Sequence, residues 1–398
     1  MATKKMLGIG VLLTIVAIAL LQIHPQGAHS ALTAYATSGT HAVFQPEAQM
    51  LSQAIDPLGT ALGEDTGPSI APPDAAAATS TPYAYDPSIC AHSTIDPFIC
   101  LANYYKVTTA TYGVNIAVAD IKKRYTENEE VASECHPLMH LIGNVASTLY
   151  PTISDAYLHG DNFCWSGYYH GVLEGVVFKI GLKNLPGAIN GICADIPGKA
   201  AYSFEYFNCV HGIGHGIMEV ENDDVFKSLG MCDTLAGTWE QESCYGGVFM
   251  ENIINYDHSG TSDFLKKNDL LYPCDAVDTQ YKSQCYLGQT SYALQESDYD
   301  FAKIFALCAT VAAPYRDICD QSMGRDGANQ ARHLGQVTMD TCWIATNPED
   351  RSNCVIGAAK EIVSYYHSDT QAKTFCDLLD LTNQAMCLST VAGYYASF

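Results

Sequence analysis

Sixteen cysteines stand in the 398 residues, yet no two form C-x-x-C. That spacing is the usual thiolate arrangement of zinc and iron–sulfur sites, so its absence argues against cysteine-held metal. The absence of C-x-x-C-H removes covalent c-type haem. Basic residues are scarce, 20 Lys+Arg against 43 Asp+Glu, giving a formal charge of −23. Nucleic acid is therefore not an expected partner. There is no Gly-rich phosphate loop after a strand and no G-x-S-x-G elbow. Asn-x-Ser/Thr acceptors are missing, and Asn-Gly hairpin signals are scarce: Asn190-Gly191 stands between helical stretches.

A long apolar run occurs at the N-terminus. Lys4 and Lys5 precede Met6–Ile23, followed by the small-x-small site Ala28-His29-Ser30. Residues 1–30 read as a signal peptide or an N-terminal anchor that sits in the membrane. Either places the remainder outside the cytoplasm, secreted or at the cell surface, where an even cysteine count is read as disulfides. Residues 31–88 are rich in Ala, Thr, Ser and Pro and read as a disordered tether. Residues 89–398 form the folded domain. Within it, Val114–Tyr125 carries Ile116, Val118 and Ile121 on one face and Lys122, Lys123 and Arg124 on the other, the pattern of an amphipathic helix.

The cysteines fall into pairs: Cys90/Cys100, Cys135/Cys164, Cys193/Cys209, Cys232/Cys244, Cys274/Cys285, Cys308/Cys319, Cys342/Cys354 and Cys376/Cys387. Cys90 and Cys100 flank a short loop, and a local bridge between them is expected to start the folded domain. First members of the last four pairs recur every 34 residues, a helix–turn–helix period. In the repeating units each first cysteine is expected to end one helix and each second to start the next. Gly at plus three from five of the second cysteines would let a neighbouring helix approach closely. The predicted class is all-α, an αα-hairpin repeat array (solenoid or toroid) stapled by disulfides within each repeat.

Histidines ride on the early units. Counting from the second cysteine, His170 and His215 are at plus six, Glu174 and Glu219 at plus ten, and His211 at plus two; His136 and His140 follow Cys135. Residues four apart share a helix face. If the second helices lie side by side, these groups converge on one inner face, with Glu251 and Asn252 nearby to contact a substrate. Imidazoles with one or two carboxylates form a common ligand set for zinc, copper or iron. The imidazoles of His140, His170 and His215 are then expected within about 5–7 Å of one another. His136 and His211 would add ligands, and Glu174 or Glu219 would be a further ligand or general base. Later units place Arg325 and Lys360 at plus six, where they would anchor an anionic part of a ligand. Competing with that reading are neutral histidines bonded across packed helices, Arg325 and Lys360 in salt bridges to Asp326 and Glu361, and the aromatics Trp165, Tyr168, Tyr169, Tyr245 and Tyr286 packed on the disulfides. Two functions follow: a metal-dependent extracytoplasmic enzyme, or a surface-tethered module binding a peptide, glycan or protein in a concave groove.

The paired-cysteine hairpin period resembles disulfide-stapled Sel1/TPR-type repeats. The Cys164-Trp-Ser-Gly and Cys209-Val-His-Gly segments are loosely similar to the Cys/His-Gly zinc motifs of lanthionine-cyclase-like α/α toroids. In that family cysteines ligate zinc, whereas here they are expected to be oxidised, so none of its catalytic residues is carried over.

Overall fold

The structure, a computed structural model, describes residue 90, residues 96–331 and residues 333–396. The N-terminal segment 1–30 and the tether 31–88 lie outside the described residues. Within these bounds the regular elements are helices: α1 (Pro97–Tyr112), α2 (Val114–Tyr125), α3 (Glu129–Ser133), α4 (Cys135–Leu149), α5 (Ile153–Leu158), α6 (Gly167–Ile180), α7 (Leu185–Ile192), α8 (Phe204–Val220), α9 (Val225–Cys232), α10 (Thr238–Ser259), α11 (Thr279–Gln295), α12 (Phe301–Cys308), α13 (Tyr315–Gln330), α14 (Gly335–Cys342), α15 (Pro348–Tyr366), α16 (Thr370–Cys376) and α17 (Leu381–Tyr395). Strand pairing among the described residues is limited to a bridge between Lys266 and Asp269. No described helix is long and apolar enough to cross a membrane.

Local chemistry sets many of the helix starts. Side chains of Asn128, Ser203, Asp224, Asp300 and Asp380 accept backbone N–H bonds at the first turns of α3, α8, α9, α12 and α17, satisfying donors that a helix end otherwise leaves orphaned. Helix α2 spans the predicted residues and buries Val114, Ala117, Val118 and Ile121 while ending on Lys122, Lys123 and Arg124.

All sixteen cysteines pair as the rhythm implies, with sequence separations of 10 to 16 residues except 29 for Cys135–Cys164. Eight disulfides fit an oxidising, extracytoplasmic environment. Short helices α9, α12, α14 and α16 each end at a first cysteine, and α7 ends just before Cys193. Each is stapled to the long helix that follows. The Cys274–Cys285 unit departs from this pattern, because the segment before Cys274 forms turns and not a helix.

Cys100 bonds to Cys90, but it does not flank a loop as the sequence suggested. It is the fourth residue of α1 and is buried. Two local features start that helix earlier than the cysteine: the Asp96 side chain accepts from the backbone N–H of Ile99, and Pro97 stands at its first position, where proline's fixed φ suits a helix. The bridge therefore ties the chain before α1 to the helix itself.

The second cysteines also sit differently from expectation. Cys209, Cys244, Cys285, Cys319, Cys354 and Cys387 lie inside long helices, with at least four helical residues before them. Cys164 precedes its helix altogether. Cys164, Trp165 and Ser166 are consecutive left-handed residues, with φ of 55°, 53° and 62°, and α6 begins only at Gly167. Non-glycine residues in this region cost of order 1–3 kcal/mol each, so surrounding structure must hold the turn.

The long helices pack in succession: α4 on α6, α6 on α8, α8 on α10, α10 on α11, α11 on α13, α13 on α15 and α15 on α17. Missing side chains permit the closest approaches. A Cβ on Gly171 would fall inside the van der Waals envelope of the His140 carbonyl oxygen, and one on Gly247 inside that of His211. The plus-three glycines Gly167, Gly212, Gly247 and Gly357 sit at such contacts, whereas Gly288 meets only Ile253 at ordinary distance.

Candidate metal centre

The close packing of α4, α6 and α8 draws five imidazoles into one buried cluster. Ring centroids lie 5.4 Å apart for His140–His170, 5.1 Å for His140–His215 and 4.8 Å for His170–His215. His136 lies 4.5 Å from His140, and His211 lies 5.0 Å from both His170 and His215. All five are buried, His215 completely. Three sets have ligand atoms mutually within 4.8 Å: His136/His140/His170, His170/His211/His215, and His140/Glu174/His215/Glu251. Each could hold a metal ion.

Four of the five rings are anchored on one side. The carbonyl of Cys164 accepts from Nδ1 of His136 at 2.8 Å, so the left-handed turn delivers a backbone oxygen to the cluster. Nδ1 of His140 meets Glu174 at 2.5 Å, and Nδ1 of His215 meets Glu251 at 2.6 Å. The backbone of Ser243 holds His211, whose Nδ1 has no partner. A hydrogen bond on one ring nitrogen sets the tautomer and turns the other nitrogen's lone pair outward, as in carboxylate–histidine–metal arrangements. His170 differs. Asn208 lies beside it, but neither ring nitrogen of His170 nor Nδ2 of Asn208 has a hydrogen bond of good geometry. Nε2 of His215 is likewise without a partner.

Burial holds His170 and His215 well below the usual imidazole range, with neighbouring imidazoles adding to the effect. It brings His211 down to about 3. These rings are neutral, as ligands must be. Burial pushes the Glu174 carboxyl up to about 8. A protonated Glu174 donates to Nδ1 of His140. His140 can then donate from Nε2 to Nε2 of His136, 3.0 Å away, and His136 donates on to Cys164. Without metal, this half of the cluster closes as a hydrogen-bond chain. No choice of tautomer does the same for His170, His211 Nδ1 and His215 Nε2.

The anchoring carboxylates come from neighbouring helices and not from the histidine's own stripe. Glu174 of α6 serves His140 of α4, and Glu251 of α10 serves His215 of α8. Glu219, read as an equivalent of Glu174, is outside the three converging sets and only half-buried. Asn252 is buried and accepts from Ser262 at 2.9 Å. Arg325 does not offer an open anion anchor: its fork contacts Asp326 at 2.6 Å, Ser291 at 2.6 Å and the carbonyl of Leu287. Lys360 bonds Gln321 at 2.9 Å and does not line the cavity next to the cluster.

That cavity has a volume of about 450 Å³ and opens directly onto His136, His170 and His211. Its walls are mainly apolar, from Trp165, Phe204, Phe207, Phe249, Met250 and Ile253, and all eight long helices from α4 to α17 reach it. The sequence pointed to Trp165 only as packing on the disulfides, and it did not point to Phe204, Phe207, Phe249 or Ile253, although Phe207 stands one turn before His211 and Ile253 one turn after Phe249. Tyr168 and Tyr245 are structural, buried and hydrogen-bonded to Ala156 and Asp233. No family model, curated protein or solved structure matches this chain.

Proposed function

We propose that this chain is an exported αα-hairpin repeat protein, carried on an N-terminal signal or anchor and a tether, that binds a divalent transition metal through imidazoles and uses it in catalysis. The observation that carries the reading is the set of buried, inward-facing nitrogens without partners on His170, His211 and His215. A buried polar atom left unsatisfied costs about 1–3 kcal/mol, and four such nitrogens stand on these three rings. A cation takes one lone pair from each ring, and the neutral rings suit zinc, copper or iron. His136, His140, His170, His211 and His215 are the ligands. With a metal bound, Glu174 would give up its proton, and Glu174 and Glu251 as carboxylates would accept from Nδ1 of His140 and His215, orienting the rings and raising their basicity.

The cavity defines what such a metal acts on. A site of this volume with aromatic and aliphatic walls takes a small, largely apolar molecule, whose polar atom would approach the ion past His136, His170 and His211. A bound ion there polarises that atom or lowers the pKa of a coordinated water. The modest volume and mainly apolar walls favour a small molecule over the peptide, glycan or protein partner of a binding module.

Elemental analysis of the full chain, purified oxidised and without chelators, tests this. At least one zinc, copper or iron per chain is expected, falling below a tenth in His136→Ala/His211→Ala, which breaks both histidine triads. A chain that takes up none of the three after incubation with each would end the proposal. Uptake unchanged in the double variant would end it equally.

A further inference from the structure

His170 occupies a position that a single ion does not explain. It belongs to two converging sets, one with His136 and His140 and one with His211 and His215. The five imidazoles do not merge into one set. Helices α4 and α8 each supply a pair of imidazoles: His136 and His140 from α4, His211 and His215 from α8, with His170 of α6 between them. His170 is also the ring among the five with both nitrogens buried and without partners. An ordinary metal-ligating histidine has its second nitrogen tied to an acceptor, as the other four are.

We infer that the cluster is a two-cation centre, with each ring nitrogen of His170 serving one ion and the ring bridging them. One ion is held by His136, His140 and His170, the other by His170, His211 and His215. Each triad leaves a coordination position open, the arrangement of reactive sites in contrast to closed structural ones. His136, His170 and His211 line the cavity, so both ions would face the same bound molecule. Bridging requires the one proton of neutral His170 to leave. Its N–H bond breaks, the electron pair forms the second nitrogen–metal bond, the proton passes to solvent, and nothing is oxidised or reduced. This inference rests on the metal reading above and goes beyond it in stoichiometry and in the role of His170.

The full chain, stripped with chelator, is titrated with zinc(II) and with copper(II) salts, counting ions by elemental analysis and recording the copper electron paramagnetic resonance intensity. Two ions per chain are expected, and the two-copper form should show well under half the intensity of two isolated spins because the bridge couples them. His136→Ala and His211→Ala should each bind one ion, with full one-spin intensity, and the double variant none. His170→Ala should lose at least tenfold in affinity at both positions. If that variant fails the disulfide and circular dichroism check, the His136 and His211 variants decide alone. Saturation of wild type at one ion overturns the inference and leaves the proposed function standing, whereas no uptake overturns both. Loss of all metal in either outer variant, two uncoupled copper spins, or an ion that survives both outer substitutions among Glu174 and Glu251 each overturns it as well.

Discussion

The metal-free protein should be acid-sensitive in a way set by three buried imidazoles. His170, His211 and His215 are neutral in the fold well below pH 6.5, and His211 stays so to about 3. In the unfolded chain each protonates near 6.5. Between those values the unfolded state binds more protons, so stability rises with pH and is lost as pH falls from 6.5. Each group contributes about 1.4 kcal/mol per pH unit, hence about 4 kcal/mol for the three. Glu174 has the opposite sign. Its carboxyl is raised to about 8, so its contribution is complete below about 4.5 and is lost as pH rises through 8. For these four groups alone the slope below pH 6.5 is then about 3 kcal/mol per unit, and above it about 1.4 in the other direction; Asp320, also raised to about 8 by burial, acts with the sign of Glu174 and shrinks the first while steepening the second. Metal-free stability should peak near pH 6.5. Guanidinium unfolding with disulfides intact, in chelator at pH 8, 6.5 and 5, measures this directly. A stability at pH 5 equal to or above that at pH 6.5 would refute neutral burial of the cluster.

Three further outcomes follow from named contacts. Gly171→Ala should cost about 1–3 kcal/mol by overpacking against the His140 carbonyl, and should weaken metal binding by shifting α4 against α6. Gly187→Ala, where a Cβ meets nothing, should be neutral or stabilising by about 0.5–1 kcal/mol. Thermal unfolding of both variants compares them. Glu251→Gln should reduce metal affinity about 10–100-fold by leaving His215 less firmly oriented, read by chelator competition; unchanged affinity would remove Glu251 from that role. Cys342→Ala/Cys354→Ala, which opens a loop of 12 residues, should lower stability by about 3 kcal/mol in denaturant titration without changing metal content.

Much of the scaffold was legible because its signals are local. The 34-residue recurrence, the short gaps between paired cysteines and the three-to-four spacing of apolar residues all act within one hairpin. The Cys164 turn escaped notice because Trp165 and Ser166 have no composition that announces left-handed backbone. The missing helix before Cys274 escaped for a related reason: the cysteine spacing is kept while the chain between follows a different path. Cys100 was misplaced for the opposite reason, since Asp96-Pro97 reads as a loop breaker but caps and opens α1. Among candidate site residues, the five histidines converged because i, i+4 spacing fixes a shared face. Arg325 and Lys360 were read from register alone, and register carries no information about which carbonyls or amides engage their charged ends.

The roles of the glutamates mark the division most clearly. By itself the sequence determined that the chain is helical, stapled and studded with histidines on one face of its early helices, because periodicity and cysteine spacing are properties of the chain. Only the tertiary structure decided that Glu174 reaches back to His140, that Glu251 and not Glu219 serves His215, and that His170 stands between two pairs of imidazoles. Those relations depend on how far one helix slides along the next. That offset is set by backbone contacts such as Gly171 on His140 and Gly247 on His211, between residues at least 31 positions apart in the chain.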